Sequence, residues 1–390
     1  MDSAIQEEQQ TRTAARYQLL SGNRLVALGA VAAGCRFFSG YPITPASEIF
    51  QAMIEELPRP GNAGLALAAP DEISSLAYCV GASMAGYKAM TATSGPGWCL
   101  MIETLQYALI TETPVVIAVV QRLGPSTGGA TQGAQGDVLL TQFCTSGGYT
   151  IPVFAPSNAR ECFELTQAAF WWSERLRTPV VLLSDKEVGM TLESVDVESF
   201  VRWPGLDRTA FSGSGRYLPY DLQRPEEPPA FAPVGGDAKV VATGSAHDRE
   251  GKLRKNSPEV IELLVHLQTK IAAHAKEMAI YEADLQERAE TLVVSYGITA
   301  RASRDAVNRL RAAGHRVSFL KLMTLFPIAT EAIAQAAKGC RRVAVAEENL
   351  TGLYASLVQT LVGECELVRV NGIGNQISPA KIVEALERAR

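Results

Sequence analysis

Short apolar segments alternate with longer segments of helical periodicity between residues 21 and 185. The apolar segments have the length of strands and lie at 36–39, 65–69, 89–93, 114–120, 150–154 and 179–184. The periodic segments predict helices at 23–33, 45–56, 72–87, 98–109 and 159–173. Apolar strands separated by helices are typical of βα units around a parallel sheet. The pattern predicts an α/β domain over 17–203, with a parallel sheet and flanking helices.

Residues 204–290 break this alternation. Prolines cluster at 224–233, next to Gly235 and Gly236, which predicts an extended connector. Ser257 before Pro258 has the form of a helix N-terminus. One apolar stripe then predicts a long helix over 258–289, formed by Ile261, Leu264, Leu267, Ile271, Ala275 and Met278.

The alternation resumes at residue 291. Strands are predicted at 292–297, 317–322, 343–348 and 367–370, and helices up to 313, near 330–338, up to about 362 and from 378. These segments predict a second, smaller α/β domain over 291–390.

Composition and charge restrict the function. Of 390 residues, 47% are hydrophobic and 20% charged, and the net charge is -5. Without a basic surface, nucleic acid is not expected as a main partner. No apolar run approaches the ~18 residues of a membrane span, and residues 1–16 lack the apolar core of a signal peptide. We therefore expect a cytoplasmic protein that does not bind membranes.

The seven cysteines form no motif: the sequence contains no CxxC pair, no Cys/His finger spacing and no ferredoxin run. We therefore expect no metal or iron–sulfur site that this chain builds alone.

Ligands of open parallel sheets bind at the carboxyl ends of the strands, where several loops carry polar residues. In the loop at 40–47, Thr44 precedes Pro45, which is typical of a helix N-cap. Alternatively, the Thr44 hydroxyl and the helix N-terminus face an anion or a carbonyl oxygen. Asp71 and Glu72 open the next helix, either as dipole and cap residues or as a catalytic carboxyl. Small residues in that helix, including Gly81 and Gly86, permit close approach of another helix, as at a subunit interface.

Two further loops follow strands. Gly95 and Gly97 in the loop at 91–98 either allow the backbone to approach a ligand or form a plain tight turn. The loop at 121–137 contains five glycines, and Arg122 lies near its start, at the end of the preceding strand. This arginine either clamps a carboxylate or forms a structural salt bridge. The loop at 91–98 is neither a dinucleotide-binding nor a P-loop motif.

Together, these motifs resemble a known family. The sequences GYPITPAS (40–47), DEISS (71–75), TATSGPG (91–97) and RLGPSTG (122–128), followed by QGD (135–137), resemble the α subunit of the 2-oxoacid:ferredoxin oxidoreductases. RLGPSTG and TGSAHDREG (243–251) are most similar to the 2-oxoglutarate branch, and VAEEN (345–349) resembles the family's transketolase-C-like domain. The resemblance implies a thiamine-diphosphate-binding pyrimidine-type domain over 17–203 and a transketolase-C-like α/β domain over 291–390.

The resemblance also implies roles for single residues. Glu72 would hydrogen-bond N1′ of the aminopyrimidine and help its amino group become a base. Thr44 and Arg122 would hold the carboxylate and keto oxygen of the 2-oxoacid, and Ser126 and Thr127 would shape the substrate side. The remaining residues expected at the cofactor are Pro42, Ile43, Ser94, Gly95, Gly97 and Asp137.

The implied reaction is the oxidative decarboxylation of 2-oxoglutarate with coenzyme A to succinyl-CoA and CO2, with electrons passed to ferredoxin. Reversal fixes CO2, as in a reductive tricarboxylic acid cycle. The sequence lacks a GDG-type diphosphate–magnesium motif and cluster cysteines, which in this family belong to a β subunit. We therefore expect Mg²⁺ and a [4Fe-4S] cluster on a partner β subunit, in an (αβ)2 heterotetramer.

Two alternatives stay open. The substrate could be pyruvate, a branched-chain 2-oxoacid or an aryl pyruvate, since the cation for a distal carboxylate is not evident. Arg36, Lys88 and Arg122 are the candidates for it by position. The chain could also be a non-catalytic α/β regulatory partner that has kept the fold.

Overall fold

The computed structural model describes residues 16–213 and 215–388. The segment examined for a signal peptide therefore lies outside the described residues, except for Arg16. Within the described part, no helix is long and apolar enough to cross a membrane.

The larger sheet has seven strands in the order β12-β6-β7-β5-β4-β2-β3. The strands are β2 Phe37–Gly40, β3 Leu65–Ala68, β4 Ala89–Thr93, β5 Val115–Gln121, β6 Val153–Phe154, β7 Pro179–Asp185 and β12 Thr324–Phe326. All pairs are parallel except the pair of β12 and β6. A separate two-stranded antiparallel ribbon joins β1 Tyr17–Ser21 and β8 Leu192–Asp196.

Helices cover both faces of this sheet. They are α1 Gly22–Ala32, α2 Ser47–Glu56, α3 Glu72–Met84, α4 Gly95–Ile110, α5 Val138–Gln142, α6 Ala159–Leu176 and α7 Lys186–Met190. The central strand β5 is fully buried because its alternate residues pack into different apolar clusters, Ile117 and Val119 on one face and Val116 and Ala118 on the other. The predicted α/β class with a parallel sheet is confirmed.

The smaller sheet has five strands in the order β14-β13-β10-β11-β9. Its strands are β9 Tyr281–Asp284, β10 Thr291–Ser295, β11 Val317–Leu322, β13 Arg342–Glu347 and β14 Glu366–Asn371. The helices of this part of the chain are α8 Pro258–Ala273, α9 Ala275–Met278, α10 Thr299–Ala312, α11 Thr330–Ala337, α12 Leu353–Val358 and α13 Pro379–Arg388.

The prediction of one helix over 258–289 is wrong in its second half. The helix ends at Ala273, and after the short α9 the chain forms β9, which pairs antiparallel with β11. Pairing with β11 overrides helix propensity here, and the acidic residues of β9 contact cations: Glu282 and Asp284 form ion pairs with Arg304, and Asp284 also with Arg311.

One strand crosses the predicted division of the chain. Thr324 and Phe326 of β12 lie within 291–390 by sequence but pair with β6 of the larger sheet. One apolar cluster accordingly contains residues of both sheets, such as Val181 of β7 and Val345 of β13. The boundaries at 203 and 290 stay a prediction.

A buried ionic cluster attaches α8 to the larger sheet. Lys270 Nζ donates to Glu112 Oε2 over 2.6 Å and to the Arg177 carbonyl over 3.2 Å, and His266 Nε2 lies 3.1 Å from the same Glu112 oxygen. The side chains of Lys270 and Glu112 are 0% and 2% exposed. Buried charges of this kind depend on their partners.

Replacing Lys270 by Met leaves the Glu112 carboxylate buried without its closest cation. We expect the free energy of unfolding to fall by about 3 kcal/mol, measured by chemical denaturation. Lys276→Met is the matched control, because the Lys276–Glu331 pair is exposed and such pairs contribute less than about 1 kcal/mol. Equal losses in the two variants would contradict this role of Lys270.

Candidate functional site

The polar loops singled out in the sequence meet at the carboxyl edge of the larger sheet. Neighbouring strands β5, β4, β2 and β3 all run parallel, so their carboxyl ends lie side by side. Thr44 follows β2, Glu72 follows β3, Ser94 follows β4 and Arg122 follows β5. The candidate site is this row of strand ends.

Thr44 does not cap a helix. Helix α2 begins at Ser47, and its N-cap position is Ala46, because residues 44–46 form a turn before the helix. The backbone carbonyl of Thr44 instead accepts a hydrogen bond from Arg122 Nη1 over 2.5 Å. This contact joins the first loop of the site to the fourth.

Glu72 occupies the first position of α3, but the capping role belongs to its neighbour. Asp71 accepts a hydrogen bond from the backbone N–H of Ser74 over 2.7 Å. Asp71 is therefore the cap, and Glu72 is the acidic residue of the first turn, as the interpretation of the pair as dipole and cap residues expects. Glu72 is only 7% exposed, so its carboxyl lies at the site largely removed from solvent.

Gly95 and Gly97 lie in the first turn of α4 rather than in a loop. Ser94 is the N-cap in an extended conformation, and proline follows at the start of the helix. A Cβ on Gly97 would lie 2.2 Å from Thr93 Oγ1 and 2.5 Å from Glu72 Cγ. The Glu72 side chain therefore occupies space that only glycine leaves open.

The other side of this helix end faces a second acid. A Cβ on Gly95 would lie 3.0 Å from Asp137 Oδ2. Burial raises the pKa of Asp137 to about 6, and the nearby Arg122 cation opposes that rise. The Asp137 backbone N–H donates to Gln121 Oε1 over 3.0 Å, which closes the loop at 121–137 at its base.

Arg122 is 7% exposed, and no carboxylate of the described residues lies within 4.0 Å of its guanidinium. The structural salt bridge considered above is therefore absent from the described part of the chain. Its Nε is buried without a hydrogen-bond partner, and so are Asp137 Oδ2, Ser94 Oγ and Ser39 Oγ. Buried polar atoms are nearly always paired, so this group of unpaired atoms at one sheet edge indicates a binding site.

The structure brings several of the expected site residues together at this edge: Glu72 lies against Gly97, Asp137 lies against Gly95, and Arg122 donates to the Thr44 carbonyl. Ser126 and Thr127 are exposed in the outer part of the loop, and Pro42 is exposed while Ile43 is half-buried. The individual roles of all these residues stay predictions.

Two candidates for binding a distal carboxylate lie at the wrong edge. Arg36 precedes β2 and Lys88 precedes β4, so both lie at the amino ends of strands whose carboxyl ends form the site. Lys88 forms an ion pair with Asp207 at 2.9 Å, and Arg36 Nη1 donates to the Cys35 carbonyl. Of the three cations considered, only Arg122 lies at the site.

Two buried polar residues to which the sequence assigned no role, Gln135 and Asp185, lie behind the site residues. Gln135 is fully buried and Asp185 ends β7, at the same sheet edge. Burial raises the pKa of Asp185 to about 6 and that of Glu348 to about 7, with the Asp185 charge adding to the rise at Glu348. The position of Asp185 at a strand end was one available signal, and Gln135 stands in the QGD motif at 135–137, although that motif does not show which residues it contacts.

Two family models match the chain. "Pyruvate flavodoxin/ferredoxin oxidoreductase, thiamine diphosphate-binding" covers residues 28–265, and "Pyruvate:ferredoxin oxidoreductase core domain II" covers residues 289–381. The first match alone covers more than half of the chain. The chain belongs to the 2-oxoacid:ferredoxin oxidoreductase family. The predicted resemblance to its α subunits is thereby confirmed.

The sequences of relatives within the family align with nearly the whole chain. The 2-oxoglutarate synthase subunit KorA of Methanothermobacter marburgensis is 37% identical over 361 residues, which are 92% of this chain and 95% of the relative. The ketoisovalerate oxidoreductase subunit VorB of Methanothermobacter thermautotrophicus is 31% identical and covers 96% of this chain and 97% of the relative.

A solved structure shares the fold closely. The 2-oxoglutarate:ferredoxin oxidoreductase from Magnetococcus marinus, with 2-oxoglutarate, coenzyme A and succinyl-CoA bound, superimposes with a TM-score of 0.88 at 30% identity. It covers 96% of this chain, and this chain spans 65% of the length of that structure's chain.

The residues at the strand ends fit the aminopyrimidine end of thiamine diphosphate. A largely buried carboxyl at Glu72 suits a ring nitrogen that shares a proton, and unpaired Ser94 Oγ and Ser39 Oγ remain for polar contacts. Within residues 16–213 and 215–388 no group of three or more His, Cys, Asp or Glu side chains could hold a metal ion.

Replacing Gly97 by Ala tests the contact between Glu72 and α4. The added methyl group would overlap Thr93 and Glu72, so we expect the free energy of unfolding to fall by about 2 kcal/mol. Gly81→Ala is the control, because a Cβ there meets no atom within 4 Å and alanine favours a helix by up to about 1 kcal/mol. Chemical denaturation measures the free energy of unfolding of both variants. Equal changes in the two would contradict the close packing of Glu72 against Gly97.

Replacing Asp137 by Asn tests the buried charge. The raised pKa, about 6 against an ordinary 3.8, means that the folded state loses stability as pH rises through this window. The uncharged variant escapes that loss, so its advantage over the native chain should grow on the order of 2 kcal/mol between pH 4 and pH 7. Denaturation at both pH values measures it, with Asp237→Asn, at an exposed position, as control. A difference independent of pH would show that the carboxyl is not buried as a charge.

Proposed function

We propose that this chain is the α subunit of a 2-oxoglutarate:ferredoxin oxidoreductase that oxidises 2-oxoglutarate with coenzyme A to succinyl-CoA and CO2, and runs in reverse with a strong reductant. The observation that carries the proposal is the Glu72 carboxyl, 7% exposed, which packs against Gly97 at the start of α4. A buried acid at a strand end, in a family that binds thiamine diphosphate, has the chemistry that the aminopyrimidine requires.

Glu72 acts on the cofactor's ring nitrogen. When bound, thiamine diphosphate supplies a carbon nucleophile for ketones and an electron sink for the pair released by decarboxylation. Glu72 would share its proton with N1′ of the bound pyrimidine, and the cofactor's amino group would then supply the base. Gly97 keeps the space next to this carboxyl free, and Pro42, Ile43, Ser94 and Gly95 line the same helix end and loop.

Arg122 is the proposed anchor of the 2-oxoacid. Its Nη1 is fixed by the Thr44 carbonyl, while its buried Nε has no partner and can donate to a carboxylate. The Thr44 and Ser126 hydroxyls and Thr127 complete the substrate side. Asp137, next to Arg122 and Gly95, balances the cation until substrate arrives.

The choice of 2-oxoglutarate is supported by the relatives named above, one of which is a 2-oxoglutarate synthase subunit at 37% identity. A ketoisovalerate enzyme subunit is also similar, at 31% identity. A branched-chain 2-oxoacid is therefore the closest competitor, and pyruvate and aryl pyruvates follow it.

A β subunit is the proposed partner, with Mg²⁺ at the diphosphate, a [4Fe-4S] cluster and an (αβ)2 assembly that reduces ferredoxin in the cytoplasm. An exposed apolar surface next to Glu72 supports a partner at this place. Ile73 and Tyr78 on α3 are 50% and 45% exposed, and Leu65 on the edge strand β3 is 51% exposed. The sheet ends at β3, so this surface borders the site directly.

Glu72→Gln in the αβ complex tests the catalytic carboxyl. The amide cannot accept and return the proton, so we expect turnover with 2-oxoglutarate to fall at least about 100-fold while thiamine diphosphate stays bound. Glu103→Gln is the matched control, since Glu103 is exposed on α4. Reduction of ferredoxin or a viologen dye measures turnover.

Persistent turnover in Glu72→Gln would remove the catalytic role and favour a regulatory module. A panel of 2-oxoacids with the native complex tests the substrate. A higher kcat/KM for 3-methyl-2-oxobutanoate than for 2-oxoglutarate would replace the proposed substrate by a branched-chain one.

A further inference from the structure

The loop at 121–137 carries a residue of the site at each end, Arg122 and Asp137. Its base is closed by the bond from the Asp137 N–H to Gln121 Oε1 and by the bond from the Leu123 N–H to the Gln132 carbonyl at 2.9 Å. Its outer part is exposed from Gly124 to Gly128. Polar contacts, rather than the apolar core, must therefore hold the second half of the loop, which leads to Asp137.

Gln135 supplies that anchor. It is 0% exposed, and both polar groups of its side chain are paired. Nε2 donates to Asp185 Oδ2 over 3.2 Å and to the Tyr296 carbonyl over 3.1 Å. Oε1 accepts from the Glu348 N–H at 2.9 Å and from Thr299 Oγ1 at 3.3 Å.

The backbone of Gln135 is paired as well. Its N–H donates to the Glu348 carbonyl over 2.7 Å, and its carbonyl accepts from Asn349 Nδ2 over 3.1 Å. Gln135 therefore makes six hydrogen bonds, and five of them go to residues of the smaller sheet or of the segments that follow its strands β10 and β13.

The contacts of Gln135 with the C-terminal residues form a joint between the two sheets, and this joint leaves no spare volume next to Gly297. A Cβ on Gly297 would lie 2.3 Å from Gln135 Nε2 and 2.6 Å from Asp185 Oδ2. A buried amide with all its donors and acceptors paired has one favoured orientation. Asp137 lies two residues further along the chain, so its place relative to Gly95 and Arg122 depends on this orientation.

We propose that Gln135 is a positioning residue through which the C-terminal α/β unit fixes the loop that carries Arg122 and Asp137. The inference rests on the proposed function, since it assigns these two residues to the substrate side. Displacement of a binding group by about 1 Å is enough to cost up to 100-fold in rate. The C-terminal unit thus sets the geometry of a site built on the other sheet.

The test compares Gln135→Ala with Gln132→Ala, a glutamine of the same loop whose side chain is exposed. Hydrogen–deuterium exchange of the full chain, measured without substrate, should speed up about tenfold in peptides from 122–137 for Gln135→Ala only. Peptides from the α6 core should not change. In the αβ complex, KM for 2-oxoglutarate should rise about tenfold with a smaller change in kcat and unchanged affinity for thiamine diphosphate.

Asn349→Ala is the second variant, because it removes one bond to Gln135 from the other side and leaves the loop sequence intact. We expect exchange in 122–137 to speed up and KM for 2-oxoglutarate to rise, both by less than in Gln135→Ala. In the double variant the two effects should be less than additive. This variant decides if Gln135→Ala does not fold.

Exchange in 122–137 that does not change in Asn349→Ala or Gln135→Ala would overturn the proposal. An unchanged KM despite faster exchange would also overturn it and reduce the joint to a purely structural one. Because exchange is read without turnover, it reports on the joint even if the native complex oxidises no 2-oxoacid, which would instead refute the proposed function.

Discussion

The packing of the Glu72 carboxyl against the first turn of α4 is the constraint on which the site depends. Two helices must start at one sheet edge, and the second must carry glycine at its third position, because a Cβ on Gly97 would lie 2.5 Å from Glu72 Cγ. Parallel strand order meets the first requirement, since β4 and β3 flank β2 and end at the same edge. At this position the acid packs against a glycine, whose missing side chain leaves the space that the carboxyl occupies.

Burial without pairing is destabilising, and the site retains several such groups. Arg122 Nε and Asp137 Oδ2 are removed from solvent without hydrogen-bond partners, which costs each group on the order of 1–3 kcal/mol. The surrounding sheet compensates with a fully buried central strand and apolar clusters on both faces. A binding site kept ready at a cost in stability is a general feature of proteins that act on ligands.

Much of this organisation was predictable from the sequence. Strand and helix alternation depends on apolar periodicity, which one sequence displays, and the motifs around Glu72 and Arg122 mark strand ends. Pairing across the chain is different. Strand β9 forms in place of the end of a helix because it pairs with β11. Strand β12 joins the larger sheet because it pairs with β6, which lies far away in the sequence. Thr44 resembled a cap because local rules favour one, but its carbonyl contacts Arg122, a contact between distant residues that no local rule contains.

The contacts of Gln135 could not be predicted for the same reason, and they join the two sheets at one residue. Ligands gather at the carboxyl ends of parallel strands, and here β7 of one sheet and β10 and β13 of the other direct these ends toward one glutamine. A loop with five glycines gains little rigidity from its own sequence. Its order must come from outside, and the bonds to Tyr296, Glu348 and Asn349 come from the C-terminal unit. The proposed role of Gln135 would make the smaller sheet part of the candidate site, although no strand of that sheet carries a group assigned to cofactor or substrate.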